Sequence, residues 1–325
     1  MNLAFRFDFA RKNHLSYGHF FRIYKIYNFL KKKSKIRFIF LVKTGDKYLF
    51  SKFFKGEFIK IGQSSNYQVI EKRLQKKNIK NIICDLPYSC DFISKIKKNF
   101  KIIGIKDNLK NLNDFDLIFF PFLNSISEKK YIIKKSKENG FKYYCGLQYL
   151  INLPSKKKIN KIKKKIKEIT ISIGGSDILN LSTKIIDVLL KIKKREFKIN
   201  LICGPGFRSI IKTDNKKNIY IYRNLNNLKF ENLRLKSDIF ICSGGQTMYE
   251  NIYSKIPSIC FPTSKNEGNA INILSKNKLV KKAKIKKLPY IIKKMDLKER
   301  KKIFFKLESL NLKNLFFDKL SKVIF

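Results

Sequence analysis

Short apolar runs, each ending in a small or charged residue and each followed by a segment of helical spacing, recur along most of the chain. They include "IRFIFLV" (36–42), "NIICDLPY" (81–88), "FKIIGI" (100–105), "DLIFFPF" (116–122), "EITISIGGSD" (168–177), "KINLICGPG" (198–206), "DIFICSGG" (238–245) and "PSICFP" (257–262). Strands that are apolar throughout must be covered on both faces, so this alternation predicts an α/β protein with parallel sheets. The opening "LAFRFDFA" is different: Leu3, Phe5, Phe7 and Phe9 line one face, while Ala4, Arg6 and Asp8 line the other. A charged pair on a first strand calls for a reason. Downstream, Phe20, Ile23, Tyr27 and Leu30 recur at intervals of three and four, which predicts an amphipathic helix from about Gly18.

The pattern breaks once, near the middle. "NLPSKKKINKIKKKIKE" (152–168) is a proline followed by a lysine-dense segment with isoleucine at helical intervals, and it reads as a solvated linker helix. This divides the 325 residues into an N-terminal domain, 1–153, and a C-terminal domain, 154–325, with a helical tail after residue 287.

Charge changes this picture less than its size suggests. The net charge is +49, from 73 Lys and Arg, only ten of them Arg, against 24 Asp and Glu. Arg is the better reader of phosphates and bases, and the chain is equally rich in Ile, Asn, Phe and Tyr with no Trp. This is the usage of A- and T-rich codons, so the lysines read as a solvated surface. Weak association with an anionic membrane surface is compatible with it, and specific nucleic-acid binding is not expected. A nucleic-acid binder would put its aromatics on an exposed face, whereas most here fall within apolar runs. The six cysteines form no C-x-x-C pair and read as reduced core residues. No secretion signal and no run near the ~18 residues of a membrane span is present, so the expectation is a soluble, cytoplasmic monomer.

Candidate chemistry sits at strand ends. His19 follows Gly18 at a helix start after strand one, where the helix dipole favours a neutral imidazole able to accept a proton. His14, in a polar loop, reads as a surface residue. Gly174-Gly175-Ser176 after one strand and Ser243-Gly244-Gly245 after another let backbone N–H groups approach a phosphate at a helix start. Glu250 lies on the first turns of the second helix, suited to a ribose. Asn266, Glu267 and Asn269 fall in a polar loop, and "CGPG" (203–206) ends the strand between, which together describe a nucleotide pocket. Asp114-x-Asp116 is read as the end of a loop, and no metal or other cofactor is expected.

Together these residues resemble the UDP-sugar hydrolases of pseudaminic acid biosynthesis, relatives of the two-domain GT-B glycosyltransferases. The resemblance rests on Arg6-x-Asp8, Gly18-His19-x-x-Arg22, Gly174-Gly175-Ser176-Asp177, Ser243-Gly244-Gly245 to Glu250, and "IICDLPYSCDF", and runs from residue 3 to residue 275. It implies two Rossmann-like domains facing across a cleft that holds a UDP-sugar. His19 would be the base that activates water against the anomeric carbon, with Asp8 and Tyr88 beside it. Arg6 and Arg22 would support the sugar side, the glycines with Ser176 and Ser243 would hold the diphosphate, and Glu250 the ribose. The alternative is a glycosyltransferase of the same architecture, with a different acceptor in place of water.

Overall fold

The computed structural model describes residues 1–9, 17–43, 47–62, 66–86, 91–122, 125–151, 153–154, 162–192, 196–204, 206–208, 218–223 and 225–325. The chain divides into two compact units, one of Met1–Asn152 with Lys313–Phe325, the other of Leu153–Leu312.

In the first unit the described residues form seven strands: β1 (Asn2–Phe7), β2 (Arg37–Val42), β3 (Glu57–Lys60), β4 (Asn81–Asp85), β5 (Lys101–Ile105), β6 (Leu117–Phe120) and β7 (Lys142–Cys145). Helices α1 (Tyr17–Lys33), α2 (Lys47–Phe53), α3 (Tyr67–Lys76), α4 (Asp91–Ile96) and α5 (Ile126–Asn139) lie between them. The sheet order is β3-β2-β1-β4-β5-β6-β7, and every pairing is parallel. The order reverses between β1 and β4, and in such sheets the crevice for a ligand opens at the carboxyl ends of those two strands.

Both faces are covered, as the apolar runs require. Leu3, Phe5 and Phe7 of β1 pack with Phe20, Ile23, Tyr27 and Leu30 of α1, whereas Ala4 shares the other face with Ile82 and Cys84 of β4 and with Ile70 and Leu74 of α3. The first core is unusually aromatic: Phe40 stacks on Phe5 at 5.4 Å between ring centroids and meets Phe50 and Phe54 at 5.0 and 4.9 Å.

The second unit repeats the design in its described residues. Strands β8 (Glu168–Ser172), β9 (Lys198–Cys203), β10 (Ile219–Arg223), β11 (Ile239–Ser243), β12 (Ser258–Phe261) and β13 (Lys281–Lys282) form a parallel sheet ordered β10-β9-β8-β11-β12-β13. Helices α6 (Leu181–Leu190), α7 (Asn227–Lys236), α8 (Gln246–Tyr253), α9 (Lys265–Lys276), α10 (Leu288–Lys294) and α11 (Leu297–Glu308) complete it. Its reversal lies between β8 and β11.

Two expectations change. The tail was expected to belong wholly to the second half, but its last helix, α12 (Phe316–Ile324), belongs to the first unit. Phe316, Leu320 and Ile324 form a stripe at intervals of four that joins the β1–α1 core, with Phe316 4.6 Å from the ring of Phe119. Periodicity reveals that a stripe must be buried, not which core receives it. The lysine segment was expected to be helical. Residues 162–167 are not, and the carbonyls of Lys163 and Lys164 accept hydrogen bonds from the buried Arg300 guanidinium at 3.0 and 3.2 Å; residues 155–161 lie outside the described ones. Among the described residues no helix is long and apolar enough to cross a membrane.

Candidate active site

At the β1–β4 reversal, three polar side chains from two elements meet. Gly18 and His19 lie in the first turn of α1, and Arg22 follows three residues on, so both side chains lie on the helix face turned to the end of β4. Asp85 closes β4, paired in register with Phe7, and is completely buried. His19 Nδ1 is 2.6 Å from Asp85 Oδ1. Arg22 binds the same carboxylate with two donors, Nε to Oδ2 at 2.8 Å and Nη2 to Oδ1 at 2.7 Å.

Arg22 Nη2 also lies 2.7 Å from His19 Nδ1. One ring nitrogen cannot donate to Asp85 and accept from Arg22 together, and the stronger acceptor is the carboxylate. In the neutral ring with Nδ1 protonated and donating to Asp85, Nε2 keeps its lone pair. Burial by itself would push the Asp85 carboxyl up, but Arg22 and His19 outweigh it and hold the carboxyl below the ordinary range. Burial likewise disfavours the charged Arg22, and Asp85 more than restores it. A carboxylate fixed in its ionised form orients the imidazole and stabilises the imidazolium that forms when Nε2 takes a proton.

Arg6 and Asp8 form a second pair. Arg6 donates to both Asp8 oxygens at 2.8 Å and to the carbonyl of Phe7 at 3.0 Å, and Asp8 also accepts the Lys43 N–H at 2.7 Å. Both are buried, and the pair ties the ends of β1 and β2 together. This suits an orienting part for Asp8 and not proton transfer. Tyr88 and His14 lie outside the described residues. Asp85 was missed as an individual site residue; the available signal was an acid closing an otherwise apolar strand.

In the second unit, Gly174, at φ +67°, follows β8, and a Cβ on it would lie 3.8 Å from Ser243 Oγ at the end of β11. Gly175 and Ser176 are exposed. Gly206 N–H donates to Gly175 O at 2.8 Å, and a Cβ on Gly204 would come within 2.6 Å of Gly175 Cα, so Gly204 and Gly206 lie directly on the glycine turn. The start of α6 is already satisfied: Asp177 accepts the N–H groups of Leu181 and Ser182, both at 2.8 Å.

Asn266, Glu267 and Asn269 were expected in a loop but occupy the first turns of α9. Ser264 caps that helix through the Glu267 N–H at 3.2 Å, a Ser-x-x-Glu start that the loop reading overlooked. Asn266 and Asn269 are exposed, while Glu267 Oε2 accepts the N–H groups of Thr263 at 2.9 Å and Gly244 at 3.3 Å. A carboxylate thus holds a backbone donor before α8 that the sequence assigns to a phosphate. Gly244 also needs its bareness, since a Cβ would approach the Glu267 Cβ to 2.8 Å. Glu250 is paired with the buried Arg234, whose guanidinium covers the Phe230 ring at 4.7 Å. Asp116 takes the Ile102 N–H at 2.7 Å, the structural task expected of a loop-end acid.

No family model matches the chain. The chain is 31% identical over 264 residues to an uncharacterized protein of Methanocaldococcus jannaschii; the match covers 74% of this chain and 52% of that protein, so the chain spans about half its relative's length. Among solved structures it is similar to Acinetobacter baumannii MurG, with a TM-score of 0.70, 11% identity and 99% of both chains covered. It is also similar to a glycosyltransferase from Rickettsia africae (TM-score 0.58, 13% identity, 99% and 97% covered). The UDP-GlcNAc 2-epimerase of M. jannaschii follows (0.58, 14% identity, 91% of each). With two parallel-sheet units, each reversing order beside its first strand, the protein has a GT-B-like fold.

Proposed function

We propose that the protein is a UDP-sugar enzyme that breaks the anomeric C–O bond to UDP and passes the sugar to a hydroxyl acceptor, with His19 as general base. The observation that carries this reading is the buried His19–Asp85 contact at the sheet's carboxyl edge. In the reaction, Nε2 removes the acceptor O–H proton as that oxygen attacks the anomeric carbon. The C–O bond to the diphosphate breaks on the opposite face with its electron pair leaving on UDP, so the configuration inverts. The proton stays on His19, where Asp85 faces the new imidazolium. Arg6 and Asp8 keep the β1 end in place, and Tyr88 is assigned to the sugar.

The second unit is assigned the nucleotide. Gly174, Gly175, Ser176, Ser243, Gly244 and Gly245 would hold the diphosphate, with Glu267 giving up the Gly244 N–H as the phosphate arrives. Glu250, steadied by Arg234, would take the ribose hydroxyls, and Asn266 and Asn269 would flank the site. Support comes from the likeness in fold to a glycosyltransferase and to an epimerase whose name specifies a UDP-sugar.

A second reading puts water in place of the acceptor, making the protein a hydrolase of a UDP-linked diacetamido-trideoxy hexose. It is favoured by the motif Gly18-His19-x-x-Arg22, in which His19 and Arg22 share one carboxylate. The test is UDP release from a panel of UDP-sugars in heavy-oxygen water, first without and then with hydroxyl acceptors, beside His19→Ala. Release that needs an acceptor supports transfer, and release into water with label on the sugar supports hydrolysis. In either case the His19→Ala rate should fall by about 10²–10⁴-fold. Interconversion of epimers without UDP release would overturn both.

A further inference from the structure

The chain holds 63 lysines, and among the described residues a single one, Lys106, is buried, at 3% exposure. It follows β5, one residue past Ile105, the register partner of Asp85, and its N–H still bonds to Phe119 O at 3.0 Å. Lys106 therefore stands at the same carboxyl edge as the His19–Asp85 pair, on the neighbouring strand. Its amine makes no hydrogen bond or ion pair with any described residue, and its partner is the face of Phe115, 5.3 Å from the ring centroid. That slot is prepared in the backbone: Phe115 lies against Gly104, where a Cβ would come within 2.6 Å of the ring.

A lysine side chain this deeply buried carries a desolvation cost, which an acceptor oxygen at its amine would offset. Burial pushes the Lys106 amine below its usual value despite the pull of Cys84, Asp107, Asp114 and Asp85, the titratable groups around it. Of the carboxylates in that set Asp85 is already paired with Arg22, while Asp107 and Asp114 disfavour a further anion, so the fitting partner is a neutral oxygen.

We infer that Lys106 is a substrate-contacting residue, its amine donating a hydrogen bond to an uncharged acceptor oxygen of the sugar, a hydroxyl or an N-acyl carbonyl. This deepens the UDP-sugar reading and rests on it.

The test is trace acetylation of the full chain with acetic anhydride at neutral pH, read lysine by lysine by mass spectrometry, alone, with UDP, and with UDP-N-acetylglucosamine. Calorimetry follows the binding of each nucleotide. With UDP-N-acetylglucosamine, Lys106 should react at least about fivefold more slowly while exposed lysines do not change, and UDP alone should give no protection. Lys106→Met should keep its affinity for UDP and bind the sugar nucleotide about 10- to 100-fold more weakly, the worth of a hydrogen bond from a charged donor. Bound sugar nucleotide that leaves Lys106 unprotected overturns the proposal alone, as does Lys106→Met binding it like the wild type. If neither nucleotide binds, the UDP-sugar reading falls and takes this inference with it. Should the variant fail to fold, acetylation of the wild type decides.

Discussion

His19 and Arg22 reach one carboxylate because they lie three residues apart on α1 while Asp85 sits at the end of the adjoining strand. Asparagine at position 85 would keep the shape and lose the charge. Its amide oxygen can still accept from Nδ1, but the imidazolium formed during proton transfer would lose its counter-ion and Arg22 would be left buried and unpaired. Asp85→Asn should therefore lower kcat by about 10²-fold or more with a smaller change in KM, as expected for an interaction that strengthens in the transition state. The same residue predicts a stability profile. Its native pKa is lowered, so its contribution is fully present above the ordinary carboxylate value of about 3.9 and is lost as pH falls through the lower native value. Urea midpoints of wild type and Asp85→Asn should differ by a constant amount above about pH 5 and converge in that acid window. A gap unchanged down to pH 2 would show that Asp85 contributes through packing and not through charge.

At the level of elements, the strands were legible because a parallel strand covered on both faces has only apolar positions, as "NIICD" and "DIFICSGG" illustrate. The His19–Arg22 pairing was legible as well, being a matter of helical spacing. Asp85 escaped as the third partner because it lies 66 residues from His19, and only the β1–β4 register places it there. Glu267 was read as loop for a different reason: the polar text "SKNEGNA" hides a capped helix start whose carboxylate folds back to Thr263 and Gly244. The docking of α12 is the least legible of all, since Phe316, Leu320 and Ile324 mark a buried face without naming its partner. That docking can be measured. Phe316→Ala removes a fully buried ring against Phe119 and should destabilise the protein by about 3–5 kcal/mol in urea unfolding. Phe325, exposed one residue beyond the same helix, should tolerate alanine within about 0.5 kcal/mol. Equal, small effects at both positions would mean that α12 adds little to the first core.

Across the whole molecule, the excess of lysine has few carboxylates to meet it. Of the 24 acids, several serve local structure: Asp8 binds Arg6, Asp85 binds Arg22 and His19, Asp177 caps α6, and Glu267 holds the turns before α8 and α9. Those acids are withdrawn from pairing with surface lysine. Pairs such as Lys165–Glu196 and Lys135–Glu138 are exposed, and pairs of that kind contribute little. A net charge of +49 then acts as self-repulsion opposing the compact state, set against the buried apolar cores such as those on the two faces of the first sheet. The sign follows from screening. The Debye length shrinks from about 30 Å at 0.01 M salt to about 10 Å at 0.1 M, so repulsion between lysines across a domain fades while contacts within the cores do not. Thermal unfolding in buffered sodium chloride should show Tm rising between these concentrations and then levelling. Affinity for a mixed-sequence oligonucleotide should fall steeply over the same interval, without preference among sequences. A Tm that falls with added salt would mean that attractive pairs outweigh repulsion on this surface. Sequence-selective binding that survives 0.3 M salt would make the lysines a nucleic-acid interface and not a solvated coat.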